Sequence, residues 1–170
     1  MMAFIDPTEG ATALREVIGV LEAAGIRYWL GRGLFRHFTL RHEFGDKQGD
    51  VDLHVLREDE DAVRVAATTL EEMHYEVISR AEQKNKITLR RGESKVEVEL
   101  VFLNRDGEFL WHQAGWPDRR RYDCPARAFG DRRLEMFDIL VRVPDEEYLP
   151  AVFGPGWEAN EKGTGGAPVV

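Results

Sequence analysis

Hydrophobic and polar positions alternate along the first half of the chain in patterns that predict helices and strands in turn. Apolar residues recur every three or four positions over 8–24 and again over 58–73, which is typical of amphipathic helices. Short apolar runs at 26–30 and 51–56 predict buried strands. The segment "LFRHFTLRHEF", 34–44, is consistent with the start of a further helix between them.

A series of strand signals follows in the second half. Apolar and polar residues alternate over 75–80, 86–90 and 95–103, with turn residues between them. A further strand is predicted at 137–144 and a short helix at 145–154. Two helix–strand units followed by a meander of strands indicate an α/β or α+β fold, a mixed sheet flanked by helices.

The domain organisation follows from the same patterns. Residues 1–157 contain no repeat and no linker that would divide them, so we expect one domain. Residues 104–134 are polar and predict no element. From residue 158 onward the chain is rich in glycine and lacks apolar periodicity, so 158–170 is expected to be a flexible tail.

Composition limits the classes of function. The chain has 170 residues, a formal net charge of −8 and a single cysteine, Cys124. The acidic balance argues against nucleic acid as a partner, and a lone cysteine forms no internal disulfide. We found no signal peptide and no apolar stretch of membrane-spanning length, so the sequence predicts a cytoplasmic protein without a membrane partner.

Two pairs of acids carry the most distinctive chemistry. Asp50 and Asp52 lie at one strand's start and point to one face, because side chains alternate along a strand. Glu97 and Glu99 share a face of a later strand in the same way. Carboxylates of this kind hold Mg²⁺ or Mn²⁺, and we predict Glu97 as the third ligand with Glu99 in reserve. The alternative is that both faces are exposed to water.

A glycine turn lies just upstream of the acids. Gly31, Arg32 and Gly33 follow a predicted strand and open a helix, where backbone N–H groups and the helix N-terminus favour a phosphate. Arg36 and Arg41 follow, and guanidinium groups bind phosphate oxygens in bidentate fashion. A tight turn without a ligand explains the glycines equally well.

These motifs resemble those of polymerase-β-like nucleotidyltransferases, which place a glycine turn and helix before an hDh(D/E)h strand and a third acid on a later strand. Here the counterparts are "LGRG", "GDVDLHV" and "KVEVELV". Within that superfamily the chain looks most like the LicD/fukutin branch. That likeness rests on Gly33–Phe35, Arg41–His42, Asp50–Asp52 and the terminal "VRVPDEEYLPAVFGPGW", residues 141–157, so the resemblance spans about 26–157.

The resemblance implies a Mg²⁺-dependent nucleotidyltransferase that binds a nucleotide and a phosphorylated small molecule. The favoured reaction joins a nucleoside triphosphate and a sugar 1-phosphate to give a nucleotide sugar, such as GDP-fucose, and pyrophosphate. Three alternatives remain open: LicD-like transfer of phosphocholine or alditol phosphate from a CDP-linked donor, nucleotidyl transfer to an antibiotic, and a non-catalytic interaction domain. Two positions depart from the family pattern, Gln48 in place of an acid and Arg32 in place of a small residue.

Several other side chains are candidate substrate contacts. His54 shares the face of Asp50 and Asp52, Arg120 lies in the basic run "DRRRYD", and Trp157 is suited to stacking on a base or sugar. Each also has an ordinary structural explanation, as a surface histidine, a solvated loop or a packed tryptophan. Trp111 and Trp116, near the unassigned segment, are suited either to a sugar pocket or to a homodimer contact, and the sequence does not decide between them.

Overall fold

A computed structural model describes residues 6–42, 50–78, 84–92, 94–114 and 119–159 and the backbone of 167–168. Its helices are α1 (Pro7–Ala23), α2 (Arg32–Arg41), α3 (Glu60–Glu72) and α4 (Tyr148–Phe153). Its strands are β1 (Tyr28–Leu30), β2 (Val51–Leu56), β3 (Tyr75–Val77), β4 (Lys86–Arg91), β5 (Val96–Asp106), β6 (Phe109–Ala114), β7 (Arg120–Pro125), β8 (Arg133–Met136), β9 (Ile139–Arg142) and β10 (Ala167–Pro168).

One eight-stranded sheet organises the fold. Its hydrogen-bonded path runs β1, β2, β5, β6, β7 and β10, while β4 pairs with β5 and β3 pairs with β4. β2 and β5 run parallel, whereas the other pairs in this sheet are antiparallel. The predicted mixed sheet flanked by helices is therefore confirmed.

The long strand β5 joins the two parts of the sheet. Its residues Val98–Leu103 pair with β2, Val96–Val101 pair with β4, and Asn104–Asp106 pair with β6. The part of β5 that carries Glu99 is thus paired with β2 on one edge and with β4 on the other, whereas the pairing with β2 begins after Glu97. Residues from β2 and β4 that share its face can reach Glu99 from both sides.

The first helix begins slightly earlier than the apolar pattern predicts. The Asp6 side chain accepts hydrogen bonds from the backbone N–H groups of Thr8 and Glu9, at 3.0 and 3.1 Å. Asp6 is therefore the N-cap, and Pro7 occupies the first helical position, where its missing N–H costs nothing. The helix ends before Gly25, whose φ of +69° suits a residue without a Cβ.

Strand β2 is buried on both faces. Val51, Leu53 and Val55 lie in the hydrophobic core, as predicted. Asp52 and His54, on the other face, are only 8 % and 0 % exposed. The interpretation of this face as a water-exposed one is thus wrong for these two side chains, because later parts of the chain cover it.

The second half differs most from the sequence-based expectation. The unassigned 104–134 segment contains the β6–β7 hairpin, which extends the sheet beyond β5. The strand predicted at 137–144 is shorter and does not join the sheet, since β9 pairs only with β8 in a separate hairpin. Within the described ranges, no helix combines the length and apolar composition needed to cross a bilayer.

Candidate active site

Three acids from neighbouring strands converge at the start of β2. Asp50 immediately precedes β2, Asp52 lies within it, and the parallel register sets Asp52 opposite Glu99 of β5. One carboxylate oxygen from each of the three residues lies within 4.8 Å of the others. We call Asp50, Asp52 and Glu99 the acidic cluster.

The geometry places Glu99, and not Glu97, in this cluster. Glu97 pairs in register with Arg90 of β4 and accepts a hydrogen bond from its Nη2 at 2.8 Å. Both glutamates share a face, so alternation alone could not separate them. The β2–β5 register decides between them, because it brings the later glutamate beside Asp52.

Burial and like charge act strongly on the two aspartates. Burial raises the pKa of the Asp50 carboxyl to about 6, and the Glu99 carboxylate adds to the shift. Burial also holds the pKa of Asp52 well above its usual range, and the charges of Asp50 and Glu99 act in the same direction. A donor set of crowded, partly desolvated carboxylate oxygens fits a hard divalent cation such as Mg²⁺ or Mn²⁺.

The glycine turn lies directly against the cluster. Gly31 follows β1, and its N–H donates to the carbonyl oxygen of Asp52 at 3.0 Å. A Cβ on Gly31 would lie 2.5 Å from Cδ2 and Nε2 of His54 and 3.1 Å from the Tyr148 hydroxyl. This position therefore has no room for a side chain, which explains the first glycine of the motif. Gly33 is the second residue of α2.

Arg32 occupies the turn in a left-handed conformation, with φ of +55°. Its backbone N–H donates to the hydroxyl oxygen of Tyr148 at 2.8 Å, so this N–H already has an acceptor. Its guanidinium lies 4.8 Å from the centre of the Tyr122 ring, with Nη1 3.5 Å from Nε2 of His112. The side chain thus places a fixed positive charge beside the cluster, within the field of Asp52.

A buried group of histidines and tyrosines lies next to this turn. Nε2 of His54 is 2.7 Å from the Tyr148 hydroxyl, and the His54 and His112 rings are 4.4 Å apart. His112 stacks on Tyr122 with ring centres separated by 5.2 Å. Both histidines are fully buried. His54 therefore packs in the core, so the structure gives no support to its predicted substrate contact.

Burial also sets the protonation of these histidines. It lowers the pKa of His54 to about 3, and the positive charge of Arg32 contributes. The pKa of His112 falls well below its usual range for the same reason, with His54 and Arg32 adding to the effect. Both rings are therefore neutral near pH 7, so they add no second positive charge beside Arg32.

The remaining predicted phosphate and substrate contacts are Arg36, Arg41, Arg120 and Trp157. Arg36 donates from Nε to the carbonyl oxygen of Trp157 at 2.7 Å and so anchors the C-terminal segment to α2. Arg41 is the exposed last residue of α2, about 14 Å along the helix from the turn. Trp157 packs partly buried against the core, and Arg120 belongs to β7, where its backbone pairs with Ala114. Arg36 is thus engaged by the C-terminal segment and Arg41 lies at the far end of α2, whereas the substrate contacts expected of Arg120 and Trp157 stay predictions.

Sequence reasoning missed Lys86. Its ammonium nitrogen lies 2.5 Å from Oε1 of Glu99, so it is a direct neighbour of the cluster. The sequence places it beside a turn, where solvent exposure is the usual outcome. Only its register on β4, opposite Val101, reveals its position two residues from Glu99 across the strand pair. Gln48, Trp116 and most of the expected 158–170 tail lie outside the described residues.

Comparison with solved structures shows a nucleotidyltransferase fold. The solution structure of the antibiotic-resistance factor ANT(2'')-Ia superimposes with a TM-score of 0.59 at 15% identity, over 87% of this chain and 72% of that one. The crystal structure of ANT(2'')-Ia with adenylyl-2''-tobramycin gives 0.54 at 15% identity, over 81% and 70%. A STING-associated CdnE c-di-GMP synthase from Capnocytophaga granulosa gives 0.43 at 13% identity, over 88% and 46%.

The comparisons at the level of sequence are negative. No model of a known protein family matches the chain, and no curated protein is detectably related to it. The shared fold is consistent with the polymerase-β-like superfamily that the motifs indicate. The closer resemblance to the LicD/fukutin branch stays a prediction.

Proposed function

We propose that this protein is a divalent-metal-dependent nucleotidyltransferase that moves a nucleoside monophosphate from a triphosphate donor to an oxygen atom of a small-molecule acceptor. The observation that carries this proposal is the acidic cluster itself, three carboxylates within 4.8 Å of one another beside a glycine turn at a helix N-terminus. The fold shared with ANT(2'')-Ia supports it independently of the side chains.

The residues of the chain divide the work of such a reaction between binding and orientation. Asp50, Asp52 and Glu99 would hold Mg²⁺ or Mn²⁺. When bound, such an ion neutralises phosphate charge and lowers the pKa of an attacking hydroxyl. Arg32 adds a fixed guanidinium at the edge of the cluster, where negative charge on a donor phosphate is stabilised. Tyr148 holds the backbone of the turn in place through the Arg32 N–H.

Two acceptor classes deserve direct comparison. The sequence motifs favour a sugar 1-phosphate, whose phosphate oxygen would attack the donor. The structural neighbour crystallised with adenylyl-2''-tobramycin favours an aminoglycoside hydroxyl instead. Both reactions release pyrophosphate from a nucleoside triphosphate, so one assay tests them together. The product then distinguishes a nucleotide sugar from a nucleotidylated aminoglycoside.

The decisive experiment incubates the protein with Mg²⁺ and each of ATP, CTP, GTP and UTP, together with a panel of sugar 1-phosphates and aminoglycosides. We expect acceptor-dependent pyrophosphate release for at least one pair, absent in Asp52→Asn and after removal of the metal with EDTA. Turnover of CDP-choline or CDP-ribitol without pyrophosphate release would support the LicD-like reaction instead. Calorimetry that detects no metal-dependent nucleotide binding would favour a non-catalytic domain.

A further inference from the structure

Lys86 is a direct neighbour of the acidic cluster, but the function proposed above gives it no role. It projects from β4, on the edge of β5 opposite to β2, and its Nζ lies 2.5 Å from Oε1 of Glu99. The Lys86 side chain is 27% exposed and that of Glu99 is 14% exposed. The ammonium is thus partly shielded from water, yet open enough to meet a ligand.

A second cation–acid pair on the same two strands shows what is special about this lysine. Arg90 and Glu97 form an ion pair at 2.8 Å, with side chains 39% and 33% exposed. Glu97 is not one of the three cluster residues, although its charge still acts on Asp50, so Arg90 balances an acid beside the cluster and not one within it. Lys86 instead contacts a carboxylate whose oxygen also lies within 4.8 Å of Asp50 and Asp52. The two pairs are chemically alike and differ in what surrounds them.

A divalent cation and the Lys86 ammonium would compete for the same carboxylate. The lysine stem is flexible and carries three donors, so its ammonium can turn to another acceptor without moving the strand. A triphosphate held by the cluster's cation brings several anionic oxygens next to Glu99. Arg32 lies on the β2 side of the acidic cluster and Lys86 lies on its β4 side, so the two cations flank the acids.

We infer that Lys86 is a phosphate-binding residue of this site, whose ammonium exchanges Glu99 for an oxygen of the donor triphosphate when a divalent cation binds the cluster. The inference rests on the proposed function, since it needs a metal-bound triphosphate. It assigns Lys86 two opposite effects. The lysine weakens the binding of the cation alone, because it occupies and neutralises Glu99, and it strengthens the binding of the triphosphate.

The test compares Lys86→Met with Arg90→Met, which removes a cation from the matched pair outside the cluster. The probes are Mn²⁺ alone, the Mg²⁺ complexes of ATP, CTP, GTP and UTP, and inorganic tripolyphosphate, whose binding needs no particular base. In Lys86→Met we expect Mn²⁺ to bind severalfold tighter, and the triphosphate that binds the wild type to bind about tenfold weaker or worse. Arg90→Met should change neither dissociation constant by more than about twofold.

The outcomes separate this inference from the proposed function. If the wild type binds a magnesium triphosphate and Lys86→Met binds it equally well, Lys86 is only the structural partner of Glu99 and the inference fails alone. If the wild type binds neither Mn²⁺ nor any triphosphate, the proposed function fails. Circular dichroism checks that each variant folds. Lys86→Gln, which can still donate to Glu99 but carries no charge, takes the place of a Lys86→Met protein that does not fold.

Discussion

Nε2 of His54 and the hydroxyl oxygen of Tyr148 lie 2.7 Å apart, although 94 residues separate them along the chain. The same hydroxyl accepts the backbone N–H of Arg32 at 2.8 Å. One buried tyrosine therefore connects the C-terminal helix, the strand that carries Asp52, and the turn at the start of α2. The shape of the candidate active site depends on a residue that does not belong to the acidic cluster.

Replacing Tyr148 with Phe tests this connection. The substitution leaves the N–H of Arg32 and Nε2 of His54 without their shared partner, so we expect a loss of about 1–3 kcal/mol in the free energy of unfolding. Nucleotide binding should weaken as well, because the turn is no longer held. The matched control is Tyr75→Phe, which removes a hydroxyl that donates to Glu16 at 2.7 Å far from the turn. Urea unfolding and calorimetry of both variants give the comparison, and equal nucleotide affinity in the two would contradict it.

Gly31→Ala tests how tightly the same turn packs against His54 and Tyr148. The added Cβ would lie 2.5 Å from the His54 ring, a distance that forces atoms to shift. Overpacking of this kind costs about 1–3 kcal/mol. Gly19→Ala is the control, since no atom lies within 4 Å of its added Cβ in α1, and alanine should stabilise that helix. Thermal melting should therefore show shifts of opposite sign, and a neutral Gly31→Ala would show that the turn can relax.

The choice between the two glutamates of β5 makes a third prediction. Glu99→Gln removes a carboxylate from the acidic cluster and should weaken Mn²⁺ binding by at least about tenfold. Glu97→Gln removes the partner of Arg90 and a charge outside the three cluster residues, and we expect its Mn²⁺ affinity to stay near that of the wild type. Calorimetric titration measures both. Should Glu97→Gln prove the more damaging change, the third ligand would be the one that the sequence first suggested.

The buried histidine pair predicts a specific response to acid. In the unfolded chain His112 titrates near its ordinary pKa of 6.5, whereas burial lowers that pKa well below this value in the fold. Below about pH 6.5 the unfolded state binds a proton that the folded state excludes. Protonation of His112 in the unfolded chain therefore lowers the free energy of unfolding as pH falls. His54, whose pKa falls to about 3, acts in the same direction. Asp50 and Asp52 act in the opposite direction, because burial raises their pKa values.

Comparing the wild type with His112→Phe separates the effect of His112 on the pH dependence of stability from the opposite effect of Asp50 and Asp52. Phenylalanine keeps the stack on Tyr122 and cannot be protonated. From pH 7 to pH 5 the free energy of unfolding of the variant should improve relative to the wild type by up to about 1.4 kcal/mol per pH unit. Urea titrations at several pH values measure this difference. A difference between the two proteins that stays constant from pH 7 to pH 5 would contradict this explanation.

The sequence by itself determined the order of the elements in the first half of the chain and the pairing of acids on each strand. Both depend on short-range spacing, since helices repeat every 3.6 residues and strands every two. For the same reason Asp50 and Asp52 could be placed on one face without coordinates. The motifs also indicated a nucleotidyltransferase fold, which the comparison with ANT(2'')-Ia supports.

Only the tertiary structure decided which residues join those acids. Strand register sets Glu99 rather than Glu97 beside Asp52 and brings Lys86 to the same place. A shift of two residues in that register would have exchanged the glutamates without changing any local pattern. Tyr148 reaches the site from the far end of the sequence, through contacts that depend on packing and not on spacing. Local periodicity determines which face a side chain takes, and packing of distant segments determines which side chains it meets there.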